Sequence, residues 1–235
     1  MKKVIAIFGA GPGLGSSVAH RFGREGYAVA LVARRRSNLD ALVAELENSG
    51  IIAVSFTGDL GLESTITPVI HEIKNTLGRI DAVYYSPAGT EACLPASTMT
   101  VEMMRSRSEY LFLGLVGVVN NVLPDFKKNG QGAILAAFGG TASVGIPYMS
   151  GPAPAQAAAR NYLMSLHGEV AQENIHVGIV TISAVIKGSA YHSTVEAGEA
   201  DVPPDTDMPV IDPNILADKL WEAASGRGEV EFVCN

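Results

Sequence analysis

Val4-Ile5-Ala6-Ile7-Phe8-Gly9-Ala10-Gly11-Pro12-Gly13-Leu14-Gly15-Ser16-Ser17 is the stretch that decides how the rest of the chain is read. Five apolar residues without polar alternation predict a strand buried on both faces, as in a parallel sheet. The glycines follow at once, Gly9, Gly13 and Gly15 at i, i+4 and i+6 with Gly11 between them, where the strand turns into a helix. An open helix N-terminus attracts anions through its backbone N–H groups and its dipole, and glycines let a pyrophosphate approach without a Cβ in the way. The strict G-x-G-x-x-G spacing is not met, so a tight glycine turn with no ligand is the plainer alternative. Its place directly after the first buried strand favours a dinucleotide.

Working outward, apolar runs recur at Ala28 to Val32, Ile51 to Phe56, Ala82 to Tyr85, Ala133 to Ala137, Val177 to Ile182 and Val230 to Val233. Helical periodicity lies between them, for example Leu39, Leu42, Val43 and Leu46 after Ser37, a candidate N-cap. Strand alternating with helix, joined by right-handed crossovers, gives an α/β fold: one doubly wound, mostly parallel sheet of about seven strands with helices on both faces. Two longer helices are predicted, from about Val101 to Phe126 and from about Pro154 to Gln172. The first carries Val101, Met104, Leu111, Leu115, Val118, Val119 and Val122, more apolar surface than one sheet face requires, which implies a homodimer or homotetramer with Leu115 facing outward. Residues 189 to 213 hold six acids, four prolines and neither Lys nor Arg, and read as a long irregular, lid-like loop. No repeat or linker marks a second domain, so residues 1 to 235 are expected to form one.

The glycine turn resembles the TGxxxGxG of the short-chain dehydrogenase/reductase family, whose Rossmann-type domain has about this length and element order. Further matches are Asp59-Leu60 after the third strand, where the family holds adenine; Gly78-Arg79-Ile80-Asp81 entering the fourth; and Ala88-Gly89, closing the family's NNAG. Phe8 stands where the family has threonine, and Ser86 and Pro87 where it has asparagines. For Asp59, a cap for the following helix is nearly as strong an alternative as an adenine contact. The second strand ends Ala33-Arg34-Arg35-Arg36, with no acid to hold a free ribose 2′-hydroxyl. Arginine there suits a 2′-phosphate, so the reading is NADP rather than NAD, with Arg34 the first contact and Arg35 the second. The cofactor-binding set implied is Gly9, Gly11, Gly13, Leu14, Gly15, Arg34, Arg35, Asp59, Leu60, Ala88, Gly89 and Gln156.

In the family, chemistry rests on a Ser, a YxxxK pair and an Asn on the long central helix. Laying the fifth strand on Gly132 to Gly139 puts Gly139 at the serine. Counting back from Leu166-His167-Gly168-Glu169, which matches the family's LAxE, puts Gln156 at the lysine and Pro152 at the tyrosine; Leu111 falls at the asparagine. No YxxxK occurs anywhere in the chain. Glycine, proline and leucine donate no side-chain proton, whereas a glutamine amide can still bond a ribose hydroxyl. No catalytic residue is therefore assigned. Tyr148, Thr141, Ser143, Ser150, His192 and Lys187 are candidate substitutes, each with a plainer reading: Tyr148 as a wall of the cleft, Thr141 and Ser143 as turn hydroxyls, His192 as a surface histidine. Glu91 and Cys93 follow the fourth strand, where the family meets substrate. Pro152, between Gly151 and Pro154, is expected to follow a backbone path unsuited to tyrosine.

Composition sets outer bounds. Apolar residues make up 47% of the 235 and charged residues 17%, which suits a packed core and not a disordered chain. A formal charge of −7 argues against nucleic acid or an anionic membrane as partner. Cys93 and Cys234 fit neither a disulfide framework nor a metal site. The opening Met1-Lys2-Lys3 precedes too short an apolar run for a signal peptide, and no stretch is long enough to span a bilayer, so a cytoplasmic protein with a small-molecule ligand is expected. Two readings follow: an NADP-binding protein of oxidoreductase ancestry, weakly active or non-catalytic, or an active oxidoreductase, lyase or isomerase with relocated groups. A ligand-free structural oligomer leaves the glycines and arginines unexplained.

Overall fold

The computed structural model describes residues 2–87, 94–200, 209–226 and 228–234. Seven strands form its main sheet: β1 (Val4–Phe8), β2 (Ala28–Ala33), β3 (Ala53–Thr57), β4 (Ala82–Tyr85), β5 (Gly132–Gly139), β6 (Ile175–Ile182) and, last in sequence, β9 (Glu231–Cys234). They lie in the order β3-β2-β1-β4-β5-β6-β9, every pairing parallel. The order reverses between β1 and β4, which opens a crevice at the carboxyl ends of those two strands, where the glycine turn lies.

The unbroken apolar runs have a direct structural reason. Val4, Ala6 and Phe8 point into one buried cluster and Ile5 and Ile7 into the other. The first cluster is covered by α3 (Glu63–Leu77), α5 (Gly114–Asn129) and α6 (Ala153–Val170); the second by α1 (Leu14–Arg24), α2 (Arg36–Asn48) and α8 (Pro213–Ala224). A strand with no solvent face has no position for a polar alternate. Asp81 fastens β1 to β4: its backbone N–H donates to the Val4 carbonyl at 2.8 Å, and its carboxylate accepts the Val4 N–H at 2.9 Å.

Several expectations need correction. Ser37 is not an N-cap: α2 begins one residue earlier, with Arg35 at the cap position and no capping side chain. The long helix is α4 (Val101–Ser108) joined to α5 through a π turn at Glu109–Leu113, where the Tyr85 hydroxyl donates to the Tyr110 carbonyl at 2.6 Å. Leu115 does not face outward. It is fully buried, and Leu111, Val118, Val119 and Val122 are buried with it, because the helix is covered by the sheet and by its neighbouring helices together. The apolar surplus is thus consumed inside the chain, and Val101 and Leu113 are the large apolar side chains left exposed on this helix.

Nor is the stretch from 189 to 213 irregular throughout. It contains α7 (Ala190–Glu196), capped by the Ser189 hydroxyl accepting the His192 N–H at 3.0 Å. It also contains β8 (Val210–Ile211), which pairs in parallel with β7 (Val185–Ile186); residues 201–208 lie outside the described residues. Among the described residues no helix is long and apolar enough to cross a membrane.

Candidate functional site

Two amides anchor the glycine turn. The N–H groups of Gly9 and Ala10 both donate to the Val32 carbonyl at 3.0 Å, which pins the turn to the end of β2. Gly9 has φ 89, and a Cβ there would stand 2.6 Å from the Pro87 backbone; Gly13 has φ 79, and its Cβ would stand 3.1 Å from Ser189. Both therefore have reasons internal to the fold. Gly11 has neither: its φ is not left-handed and nothing lies within 4 Å of its Cβ position, so it borders open space where a ligand can approach. Helix α1 starts with no capping side chain and no acid in its first turn, and the amides of Leu14 and Gly15 take no backbone acceptor among the described residues. These open donors and the uncompensated dipole form an anion site that fits a pyrophosphate. The Leu14 side chain itself is core, as is that of Leu60.

At the end of β2, Arg34 and Arg35 are exposed and have no acidic partner among the described residues, whereas Arg36 pairs with Asp40 at 3.4 Å. The Gly58 N–H donates to the Ala33 carbonyl at 3.2 Å, bringing the exit of β3 beside the end of β2 that leads into Arg34 and Arg35. Asp59 then forms a side-chain turn, its carboxylate accepting the Gly61 N–H at 3.0 Å; it is not the cap of α3, whose N-cap is Leu62. Ala88, Gly89, Glu91 and Cys93 lie outside the described residues.

The positions counted from opposite ends of the chain meet in space. Gln156, in the first turn of α6, turns its side-chain carbonyl to the Gly139 N–H at 3.0 Å. The oxygen is committed as acceptor, so the two amide N–H donors remain, with no acceptor among the described residues. A Cβ on Gly139 would lie 3.4 Å from that oxygen and 3.6 Å from the Thr141 hydroxyl. Pro152 sits at the N-cap of α6 with φ −78 and ψ −14, an ordinary helical conformation open to any L residue, contrary to the path expected of it. Leu111 is buried in the π turn.

The substitute groups are dispersed. Ser143 donates its hydroxyl to the Gly140 carbonyl at 2.8 Å, a turn contact. His192 accepts the Gly188 N–H at 3.4 Å and lies 3.4 Å from Glu196, within α7. Lys187 is exposed beside β7, its backbone N–H on the Ile211 carbonyl at 2.9 Å. Tyr148 is exposed, has φ 64, and has no partner for its hydroxyl among the described residues. Tyr85 is unsuitable as an acid: burial pushes its phenol far up, and its proton is held by the Tyr110 carbonyl.

Sequence reading missed two contacts. One is the docking of Ser189 on Gly13, for which the sequence carries no local signal. The other is a charged cluster one helical turn beyond Gln156, where Arg160 Nε donates to Glu231 at 2.7 Å and the buried Thr181 hydroxyl donates to the same carboxylate at 2.5 Å. The Arg160 guanidinium holds the Glu231 carboxyl below its ordinary range. Its three members come from α6, β6 and β9, too far apart in sequence for any spacing to show it.

Against this geometry, the sequence pattern of the short chain dehydrogenase family matches residues 3–195. The chain belongs to the short-chain dehydrogenase family. Dehydrogenase/reductase SDR family member 7B of Danio rerio is 28% identical over 185 residues, covering 76% of this chain and 60% of the relative. The 11-beta-hydroxysteroid dehydrogenase-like 3 of Arabidopsis thaliana is 26% identical over 175 residues, 73% of this chain and 56% of that one. The chain thus matches little more than half the length of these curated relatives. Among solved structures, an alcohol dehydrogenase from the archaeon Thermococcus sibiricus, complexed with 5-hydroxy-NADP, superposes with a TM-score of 0.80 at 21% identity, covering 98% of this chain and 95% of that one. No YxxxK occurs in the chain.

Proposed function

We propose that this short-chain dehydrogenase binds NADP in the β1/β4 crevice and is weakly active or non-catalytic, its usual catalytic positions being occupied by Leu111, Gly139, Pro152 and Gln156. The observation that carries the second part is the Gln156–Gly139 hydrogen bond: a residue at the lysine position spends its acceptor on the backbone at the serine position and brings no charge. When bound, the cofactor supplies a hydride equivalent; the chain's part would be to orient it. Gly9, Gly11, Gly13 and Gly15, with the amides at the head of α1, would hold the pyrophosphate. Arg34 and Arg35 would hold the 2′-phosphate, Asp59 and Leu60 would border the adenine, and the Gln156 amide would reach the nicotinamide ribose; Ala88 and Gly89, which close the family's NNAG, belong to the same cofactor-binding set. The same reading includes a small-molecule ligand in the cleft, a cytoplasmic setting and a homodimer or homotetramer using the exposed Leu113. The alternative is an active oxidoreductase, lyase or isomerase with relocated groups in the same cleft, a reductase then taking its proton from Tyr148, which is exposed, or from water.

Calorimetric titration with NADPH and NADH tests the cofactor reading. A charge-assisted contact to the 2′-phosphate contributes roughly 1.5 to 3 kcal/mol, about tenfold or more in affinity. NADPH is expected to bind tighter by that factor, and Arg34→Ala to remove most of the difference. Equal dissociation constants, or no loss on Arg34→Ala, would reject the assignment.

A further inference from the structure

Resting on the reading that a nicotinamide dinucleotide lies in the β1/β4 crevice, we infer that Tyr84 is a positioning residue of this chain: its buried hydroxyl orients the Ser86 hydroxyl, which donates to the pyrophosphate. Side chains two apart along an extended strand point the same way. Tyr84 packs in the cluster covered by α1, α2 and α8, so Ser86, half-buried where β4 runs out into the crevice, lies on the α1 side of the sheet as well. The Ser86 N–H donates to the Phe8 carbonyl at 3.0 Å, and a Cβ on Gly9 would stand 2.8 Å from the Ser86 carbonyl carbon. Ser86 is thus fixed beside the first glycine of the turn, on the side where α1 presents its open amides.

Tyr84 is fully buried, flanked in the sheet by Ile7 of β1 and Leu135 of β5. Its hydroxyl makes no hydrogen bond of ordinary geometry among the described residues, and the polar side chain it faces is that of Ser86. Burial pushes the phenol well above its ordinary range, so it keeps its proton. A buried hydroxyl left without a partner is costly, and a phenylalanine of nearly the same shape would fill the same space without that cost. Packing between apolar neighbours asks only for the ring; the oxygen needs another reason.

The neighbouring serine supplies that reason. A serine hydroxyl carries one proton and accepts through the same oxygen, so a Tyr84 O–H donating to Ser86 Oγ turns the Ser86 proton away from the core and toward the crevice. The acceptor placed there is a pyrophosphate oxygen, held by the α1 amides on the same side of the sheet, and a bond to that charged oxygen is stronger than one between neutral groups. Arg34 and Arg35 stand at the exit of β2, which the strand order β2-β1-β4 sets on the far side of β1 from Ser86. The Tyr84–Ser86 pair therefore reads the part of the cofactor that NADP and NAD share, not the 2′-phosphate.

The test titrates the full chain calorimetrically with NADPH and with NADH, as the parent, Tyr84→Phe, Ser86→Ala and the double variant, and melts each without cofactor. Each single change removes one charge-assisted contact or its support and should weaken both dinucleotides about tenfold, by the same factor for each. The double variant should bind no more weakly than Ser86→Ala, because the two hydroxyls act as one unit. Tyr84→Phe should leave the melting temperature level or raise it, since it removes a hydroxyl without a partner. Unchanged dinucleotide affinity in Tyr84→Phe would overturn the inference and leave the cofactor reading standing. So would losses that add in the double variant, a loss confined to NADPH, or a lowered melting temperature showing that the hydroxyl serves the core. A parent that binds neither dinucleotide overturns the cofactor reading and takes this assignment with it.

Discussion

Gly139→Ser, Pro152→Tyr and Gln156→Lys, made together, are expected to create NADPH-dependent carbonyl reduction. The backbone already accommodates each change. A Cβ at position 139 has ordinary contacts, 3.4 Å to the Gln156 oxygen and 3.6 Å to the Thr141 hydroxyl, and the nearer one disappears when Gln156 is replaced. Pro152 has the helical φ and ψ a tyrosine prefers, and positions 152 and 156 share one face of α6. The stability loss is small. Losing the Gln156–Gly139 hydrogen bond costs about 1 kcal/mol, and releasing proline in the unfolded chain about 0.4 to 1 kcal/mol, against the 5 to 15 kcal/mol typical of a domain. A phenol with a lysine beside it, placed for proton transfer, contributes roughly 100- to 10,000-fold in rate. The assay follows NADPH absorbance with a panel of neutral ketones, beside the parent and the three single variants. A triple variant that melts within a few degrees of the parent, binds NADPH and yet adds no rate would show that the crevice lacks the geometry these three groups need.

Other outcomes follow from burial and charge. Leu115→Asp should prevent folding or lower stability by at least about 3 kcal/mol, since it places a carboxylate in the core without a partner; circular dichroism and thermal melting read this directly. Leu113→Asp, on an exposed position of the same helix, should leave the fold intact and lower the mass of any assembly seen by light scattering; an unchanged oligomeric mass would remove this face from the interface. Desolvation, and then the neighbouring His167, hold the His176 imidazole below its ordinary value of about 6.5. The unfolded chain thus binds the extra proton first, and the stability this residue contributes is present above about pH 6.5 and lost as pH falls toward its folded value. Melting temperature should rise with pH through that window, and His176→Gln should flatten the rise; an unchanged slope would reject the assignment.

How far the sequence can be read depended on the kind of contact involved. Double burial shows in an apolar run itself, so β1, with Ile5 and Ile7 on one face and Ala6 and Phe8 on the other, could be placed along with the sheet it heads. Periodicity gives the apolar face of a helix but not how many neighbours cover it, so Leu115 reads as outward-facing although sheet and helices enclose it. The two-residue β7 and β8 are too short for any period, and α7 has no buried residue to mark it amid acids and prolines. At the site, counting motifs from two directions leads to Gly139 and Gln156, which the fold brings into contact. That the Gln156 oxygen is committed to the Gly139 amide needed coordinates, because a side-chain amide carries no sign of its partner in sequence.

If cofactor binding is kept while proton delivery is lost, parallel measurements on one preparation of the parent protein separate the two. Calorimetry gives the NADPH dissociation constant, and cofactor absorbance gives the rate of NADPH oxidation with saturating neutral ketones. NADPH is expected to bind at least about tenfold tighter than NADH, with oxidation at least 100-fold below the enzymatic range of about 1 to 1,000 s⁻¹. Oxidation within that range, unaffected by Gln156→Ala, would contradict it.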